Sequence, residues 1–94
     1  MRESMIERKL TRKIEGIGGK FYKWVSPGND GVPDRIAILP NGRIVFVELK
    51  TDKGRLSDVQ KYQQEIIRNL GCEVTTVYGE KGAEDFFMEV ADEV

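Results

Sequence analysis

Ninety-four residues, 39% hydrophobic and 33% charged, suffice for one modest core with a well-solvated surface and leave no room for a second domain. A lone cysteine, Cys72, and the absence of histidine exclude an internal disulfide, a cysteine-cluster zinc site and an imidazole base, so any chemistry falls to carboxylates, lysines and backbone groups. The net charge of −1 sums two unlike parts: residues 1–72 hold 14 of the 15 Lys and Arg against 9 of the 16 Asp and Glu, a balance of +5, whereas residues 73–94 hold one lysine against seven acids, a balance of −6. A basic body suits a phosphate backbone, although a solvated lysine-rich face is the commoner reason for such a pattern. No apolar stretch is long enough to span a bilayer and no leader pattern precedes the first helical segment, so the chain is expected in the cytoplasm.

Ser4-Met5-Ile6-Glu7 has the form of a capping box, and Ile6, Leu10, Ile14 and Ile17 follow at helical spacing, which predicts an amphipathic helix ending at Gly18-Gly19. Lys20 to Val25, rich in aromatic residues and too short for a helix, reads as a strand. The stretch SPGNDGVP (26–33), with two Gly and two Pro, is a loop. Asp34 to Leu39 and Arg43 to Lys50 read as strands on either side of Pro40-Asn41-Gly42, a hairpin signal. After the polar loop TDKGRL (51–56), Ser57-x-x-Gln60 offers a second capping box, and Val59, Tyr62, Ile66 and Leu70 carry a helical stripe to the terminator Gly71. A strand from Glu73 to Tyr78 completes a parallel crossover, and Ala83 to Val90 closes the chain as a helix. The order α-β-β-β-α-β-α predicts an α/β fold: a mixed β-sheet flanked by helices, with the apolar run IVFV fitting a sheet covered on both faces.

The hairpin turn decides where the acids point. A two-residue turn would send Asp34 and Glu48 to opposite faces. Proline first, asparagine next and glycine at a left-handed position describe a three-residue loop instead, in which Leu39 pairs with Arg43 and Asp34 stands directly opposite Glu48, with Lys50 on the same face. Opposed ladder residues have Cβ atoms roughly 4.5–5.5 Å apart, and two facing carboxylates are unfavourable unless something binds between them. Magnesium, an oxygen-seeking cation that keeps several waters, fits two carboxylates plus a backbone carbonyl, that of Leu49. Glu7 offers a third acid or a hold on a metal-bound water, and Lys50 can lower the pKa of an attacking water or neutralise a phosphate. Plainer readings exist for each: Glu48 and Lys50 fit a solvated strand end, Glu7 and Gln60 are accounted for by their capping boxes, and residues 26–33 need only connect two strands. Convergence in one register is what favours a site.

Gly31-Val32-Pro33-Asp34-Arg35, then the fourteen-residue step from Asp34 to Glu48 in Phe46-Val47-Glu48-Leu49-Lys50, then Ser57-x-x-Gln60 on a helix, resemble the VRR-NUC (virus-type replication-repair nuclease) family of the PD-(D/E)XK nuclease superfamily. The likeness runs over nearly the whole chain. The string ERKL, with Glu7 eleven residues before Gly18, also resembles the first helix of archaeal-type Holliday-junction resolvases. The resemblance implies a restriction-endonuclease-like core, with residues 1–94 forming a single nuclease domain and a Mg2+- or Mn2+-dependent phosphodiesterase activity. Asp34 and Glu48 would be metal ligands with the Leu49 carbonyl as a third, Lys50 the catalytic lysine, Glu7 the helix acid completing the site through metal or water, and Gln60 the helix glutamine facing it.

The substrate implied is DNA, branched or a four-way junction, cut by a symmetric homodimer as expected of stand-alone phage-type members, which work in the host cytoplasm. A less selective nickase of flaps or duplex is the alternative within nucleases. A non-catalytic nucleic-acid-binding domain is the rival from another class, disfavoured because a mere binder gains nothing from two facing acids near DNA. Tyr22 and Trp24, on one face of the first strand, are candidates for a dimer interface, for DNA contact or for packing under the first helix. The acidic segment from Glu73 onward is open to three roles, packing, dimerisation or orienting the substrate by repulsion.

Overall fold

Helix α1 (Glu3–Gly16) buries Ile6, Leu10 and Ile14 along one stripe, as the spacing predicts, in the computed structural model, which describes residues 2–94. The Ser4 capping box does not form. Arg2 occupies the N-cap position without a side-chain hydrogen bond, and Ser4 lies inside the helix. Glu3 takes the first turn, where negative charge complements the free N–H groups, and the Glu7 carboxylate is drawn to Arg35 instead of back to the chain. At the other end Gly18, at φ +92°, donates its N–H to the Glu15 carbonyl and Gly19 donates to that of Ile14, both at 3.0 Å. These are the two bonds of a Schellman stop, with the half-buried Ile17 as C-cap.

Strands β1 (Lys20–Lys23), β2 (Arg35–Ile38), β3 (Ile44–Lys50) and β4 (Glu73–Tyr78) lie in that order across one mixed sheet, with α2 (Asp58–Asn69) and α3 (Gly79–Ala91) completing the sequence α-β-β-β-α-β-α. β1 pairs antiparallel with β2, β2 antiparallel with β3, and β3 parallel with β4 through the α2 crossover. The hairpin uses the three-residue loop. Leu39 donates to the Arg43 carbonyl at 2.9 Å, Gly42 donates back to that of Leu39 at 2.8 Å, and Ile38 faces Ile44. β1 ends two residues earlier than predicted, yet the Trp24 N–H still bonds the Asp34 carbonyl at 2.8 Å.

One sheet face carries Phe21, Ala37, Leu39, Val45, Val47, Leu49 and Val77 against Ile6, Leu10 and Ile14 of α1 and Ala83, Phe86 and Val90 of α3. The opposite face is only partly covered, contrary to the expectation from IVFV, because α2 packs chiefly on β4. Tyr22, Ile38 and Ile44 are left exposed there, so Tyr22 does not pack under α1. The orientation of α2 also differs from the apolar stripe. Val59, Tyr62 and Leu70 face outward, whereas Gln64 and Ile67 are buried, because Gln64 donates to the Thr76 hydroxyl at 2.8 Å and turns a polar side to the sheet. The Ser57 capping box forms in full.

The acidic C-terminal segment is part of the fold. α3 starts at Gly79, before the predicted Ala83, and its buried side inserts into the main core. Arg43 gathers Glu73 at 2.8 Å, Glu89 at 3.1 Å and Glu93 at 2.9 Å, and hydrogen bonds to these three, Glu73 foremost, raise its pKa further. Ending the chain after Tyr78 therefore removes core, not merely charge. Phe86→Ala is expected to lower unfolding free energy by about 3–5 kcal/mol, read as a lower urea midpoint at unchanged slope.

Candidate active site

The loop Gly31-Val32-Pro33 delivers Asp34 to the site by close packing. Gly31 sits at φ +84° with its Cα so near Val59 that an added Cβ would come within 2.9 Å of the Val59 backbone carbonyl, and Pro33 is fully buried. Continuing the ladder one step past Arg35–Val47 sets Asp34 opposite Glu48, as the three-residue loop requires. Asp34 Oδ2 accepts the Leu49 N–H at 2.9 Å, which fixes the carboxylate across the strand from Glu48.

Glu48 is 2% exposed, the deepest acid of the chain. Its Oε2 accepts from Gln60 Nε2 at 3.0 Å and lies 3.9 Å from Lys50 Nζ, while its Oε1 is buried with no partner among the described residues. Burial, with the Asp34 carboxylate beside it as the next cause, pushes the Glu48 pKa up to about 8. Gln60 serves two groups at once. Its Oε1 accepts from the Ser57 N–H at 2.9 Å to close the capping box, which turns Nε2 onto Glu48. The structural and the functional readings of Gln60 are thus the same geometry.

Leu49 lies between these residues with its side chain in the core. Glu7 lines a cleft of about 210 Å³ with Glu3, Ser4, Lys23, Trp24 and Asp34, but its Oε2 accepts from Arg35 Nε at 3.1 Å. Arg35 also donates through Nη1 to the Phe21 carbonyl at 2.8 Å and lies over the Phe21 ring. Trp24 packs against Phe46 at 5.1 Å between ring centroids, leaving it half-buried at the cleft edge.

Sequence reasoning missed Glu3 and Arg35. Glu3 stands one helical turn before Glu7, and its pKa is raised by partial burial first and then by Asp34. The i, i+4 spacing to Glu7 was its only signal, and adjacency to Asp34 was that of Arg35.

Two opposed carboxylates, one with an orphaned buried oxygen, form an all-oxygen donor set that suits a hard divalent cation, with the Lys50 ammonium beside them as a separate positive charge. Among the described residues no three acidic or thiol groups converge into a ready cage. A magnesium ion held by one or two carboxylates and several waters needs no such cage.

Comparison with solved structures defines the class. The fold matches a VRR-NUC domain with a TM-score of 0.85 and 29% identity, covering 92% of this chain and 94% of that one. It also matches the Holliday junction resolvase Hjc of the hyperthermophilic archaeon Archaeoglobus fulgidus, with a TM-score of 0.55 and 25% identity over 79% of this chain and 64% of that one. The architecture is a restriction-endonuclease-like nuclease fold. In sequence, the model of the VRR-NUC domain matches residues 4–81, and the nuclease candidate p44 of Acyrthosiphon pisum secondary endosymbiont phage 1 is 43% identical over 74 residues, 79% of this chain and 80% of that one. The chain belongs to the VRR-NUC family and is a nuclease domain of that type, a kind that generally uses divalent metals.

A Glu48 pKa raised from the ordinary carboxylate range means that the folded state binds this proton more tightly than the unfolded one. That contribution to stability is complete below about pH 4.5 and is lost as pH rises toward 8. With chelator present, the thermal midpoint is expected to fall from pH 5 to pH 8.5, by stability on the order of a few kcal/mol. Glu48→Gln, which keeps the shape without the charge, should remove most of that slope in melts followed by circular dichroism.

Proposed function

We propose that residues 1–94 form a single catalytic domain, a Mg2+- or Mn2+-dependent endodeoxyribonuclease that cuts branched DNA. The observation that carries this reading is the buried Glu48, facing Asp34 across the hairpin with its Oε1 unpartnered. Asp34, Glu48 and the Leu49 carbonyl would hold the cation, which supplies an activated water and charge neutralisation at the phosphate. Glu7 completes the site directly or through water once it shares its carboxylate between Arg35 and the cleft. Gln60 keeps Glu48 Oε2 in place, leaving Oε1 free for the cation. Lys50, two residues along the strand, places a positive charge where the scissile phosphate gains negative charge. A binding domain without catalysis has no use for this pair of acids, since both repel DNA.

Junction cutting is supported by likeness to a Holliday junction resolvase and by the uncovered apolar surface. Tyr22, Ile38 and Ile44 are exposed on the part of the sheet that α2 leaves open, and Tyr62 and Leu70 are exposed on α2. Paired two-fold with a second copy, this surface would set two sites at a fixed separation, matching two equivalent strands. Among the described residues no helix is long and apolar enough to cross a membrane, and the proposed place of action is the cytoplasm, that of the host for a phage-encoded chain.

Labelled four-way junction, flap and linear duplex should be incubated with the protein with and without Mg2+ or Mn2+. Metal-dependent cutting of the junction is expected, with Asp34→Ala roughly 10²–10³-fold slower. Preferential cutting of flap or duplex would favour the nickase reading, and no metal-dependent cutting of any substrate would end the enzymatic one. Light scattering should give a mass near twice 10.7 kDa. Ile44→Asp should return it to the monomer value, and a wild-type protein of single mass would dismiss the dimer.

A further inference from the structure

Helix α1 carries more positive charge than the fold uses. Lys9 is paired with Glu80 at 2.8 Å and Lys13 lies over the Phe87 ring, but Arg8 and Arg12 are exposed and pair with no acid among the described residues. Standing four residues apart, they repel each other along one helix face, a small cost that no ion pair among the described residues relieves. Between them and the sheet lies a groove of about 400 Å³ lined by Ser4, Glu7, Arg8, Thr11, Arg12 and Arg35. It shares Ser4 and Glu7 with the cleft that holds Asp34, so an open path runs from the carboxylates along α1. Arg35 is fixed in this path by its bonds to Glu7 and the Phe21 carbonyl, and its Nη2 has no partner among the described residues.

We propose that this groove seats backbone phosphates of the DNA strand being cut, next to the phosphate at Asp34 and Glu48, an inference that rests on the nuclease reading. Guanidinium forks match phosphate oxygens in geometry as well as charge. Arg8 and Arg12 are separated by about 6 Å of helical rise, so each can take its own phosphate, and the preorganised Arg35 meets the one nearest the acids. α1 packs on the sheet face opposite Tyr22, Ile38 and Ile44. The arginines of α1 therefore lie away from the open face, which Asp34 and Glu48 share with Tyr22, Ile38 and Ile44.

The test is a salt series of equilibrium binding to labelled junction DNA in chelator, where no metal-dependent cutting occurs. Each lost phosphate contact should lower the slope of log affinity against log salt by about 0.9. Arg8→Ala with Arg12→Ala is expected to weaken binding and reduce the slope by about 1.8 per bound protomer. Arg8→Lys with Arg12→Lys should restore most of the slope. A slope unchanged in the alanine pair, with wild-type thermal stability, would overturn the groove, and so would a lysine pair no better than the alanine pair. Wild-type protein that neither binds nor cuts DNA would instead overturn the nuclease reading beneath it.

Discussion

A carboxylate kept out of water beside a second carboxylate is the costly element around which this protein is arranged. Glu48 sits on the central pair of strands, and the groups around it are drawn from its own strand, the neighbouring hairpin strand and α2. Asp34 is set by the hairpin and by the tight approach of Gly31 to α2, Gln60 by the cap of α2, and Lys50 by the pleat of β3. Removing a charge from water raises its free energy by several kcal/mol unless a cation or donors compensate, and the donors here satisfy only one of its two oxygens. The fold tolerates this because the opposite sheet face carries a continuous apolar core between α1 and α3.

The same demand explains the turn of α2. A helix that buried its apolar stripe would present Val59, Tyr62, Ile66 and Leu70 to the sheet. The glutamines at 60 and 64 instead bond Glu48 and Thr76, so the helix rotates its polar side inward. Apolar surface is thereby transferred from the interior to the exterior, on a helix that covers only part of its sheet face.

Local chemistry makes much of this legible in the sequence. Pro40-Asn41-Gly42 specified the turn type, the turn type specified the register, and the register brought Asp34 and Glu48 together without knowledge of the rest of the molecule. Ser57 with Gln60 was equally local and formed as read. Ser4 with Glu7 has the same pattern yet forms no cap, because a charged partner 28 residues away outbid the backbone for Glu7. That competition is tertiary and leaves no mark in spacing. The α2 orientation was lost for a related reason: hydrophobic periodicity counts apolar residues and is blind to a glutamine with a buried partner. The resemblance to VRR-NUC nucleases, carried by GVPDR and FVELK, placed the chain in the family that the sequence and structural comparisons bear out.

Arg43 gives the molecule a lasting polarity. By binding Glu73, Glu89 and Glu93 it anchors the acid-rich helix α3 to the edge of the sheet, and that helix cannot detach without opening the core. Of its other acids, Glu80 pairs with Lys9 of α1 and Asp85 with Lys81, so this charge is held on a packed helix rather than spread over a mobile tail. A body with fixed poles experiences a torque near a polyanion, and at physiological salt that torque acts within about 8 Å of the surface. A charge distribution this uneven, at a net charge of only −1, acts on the attitude of a body at close approach more than on attraction at a distance.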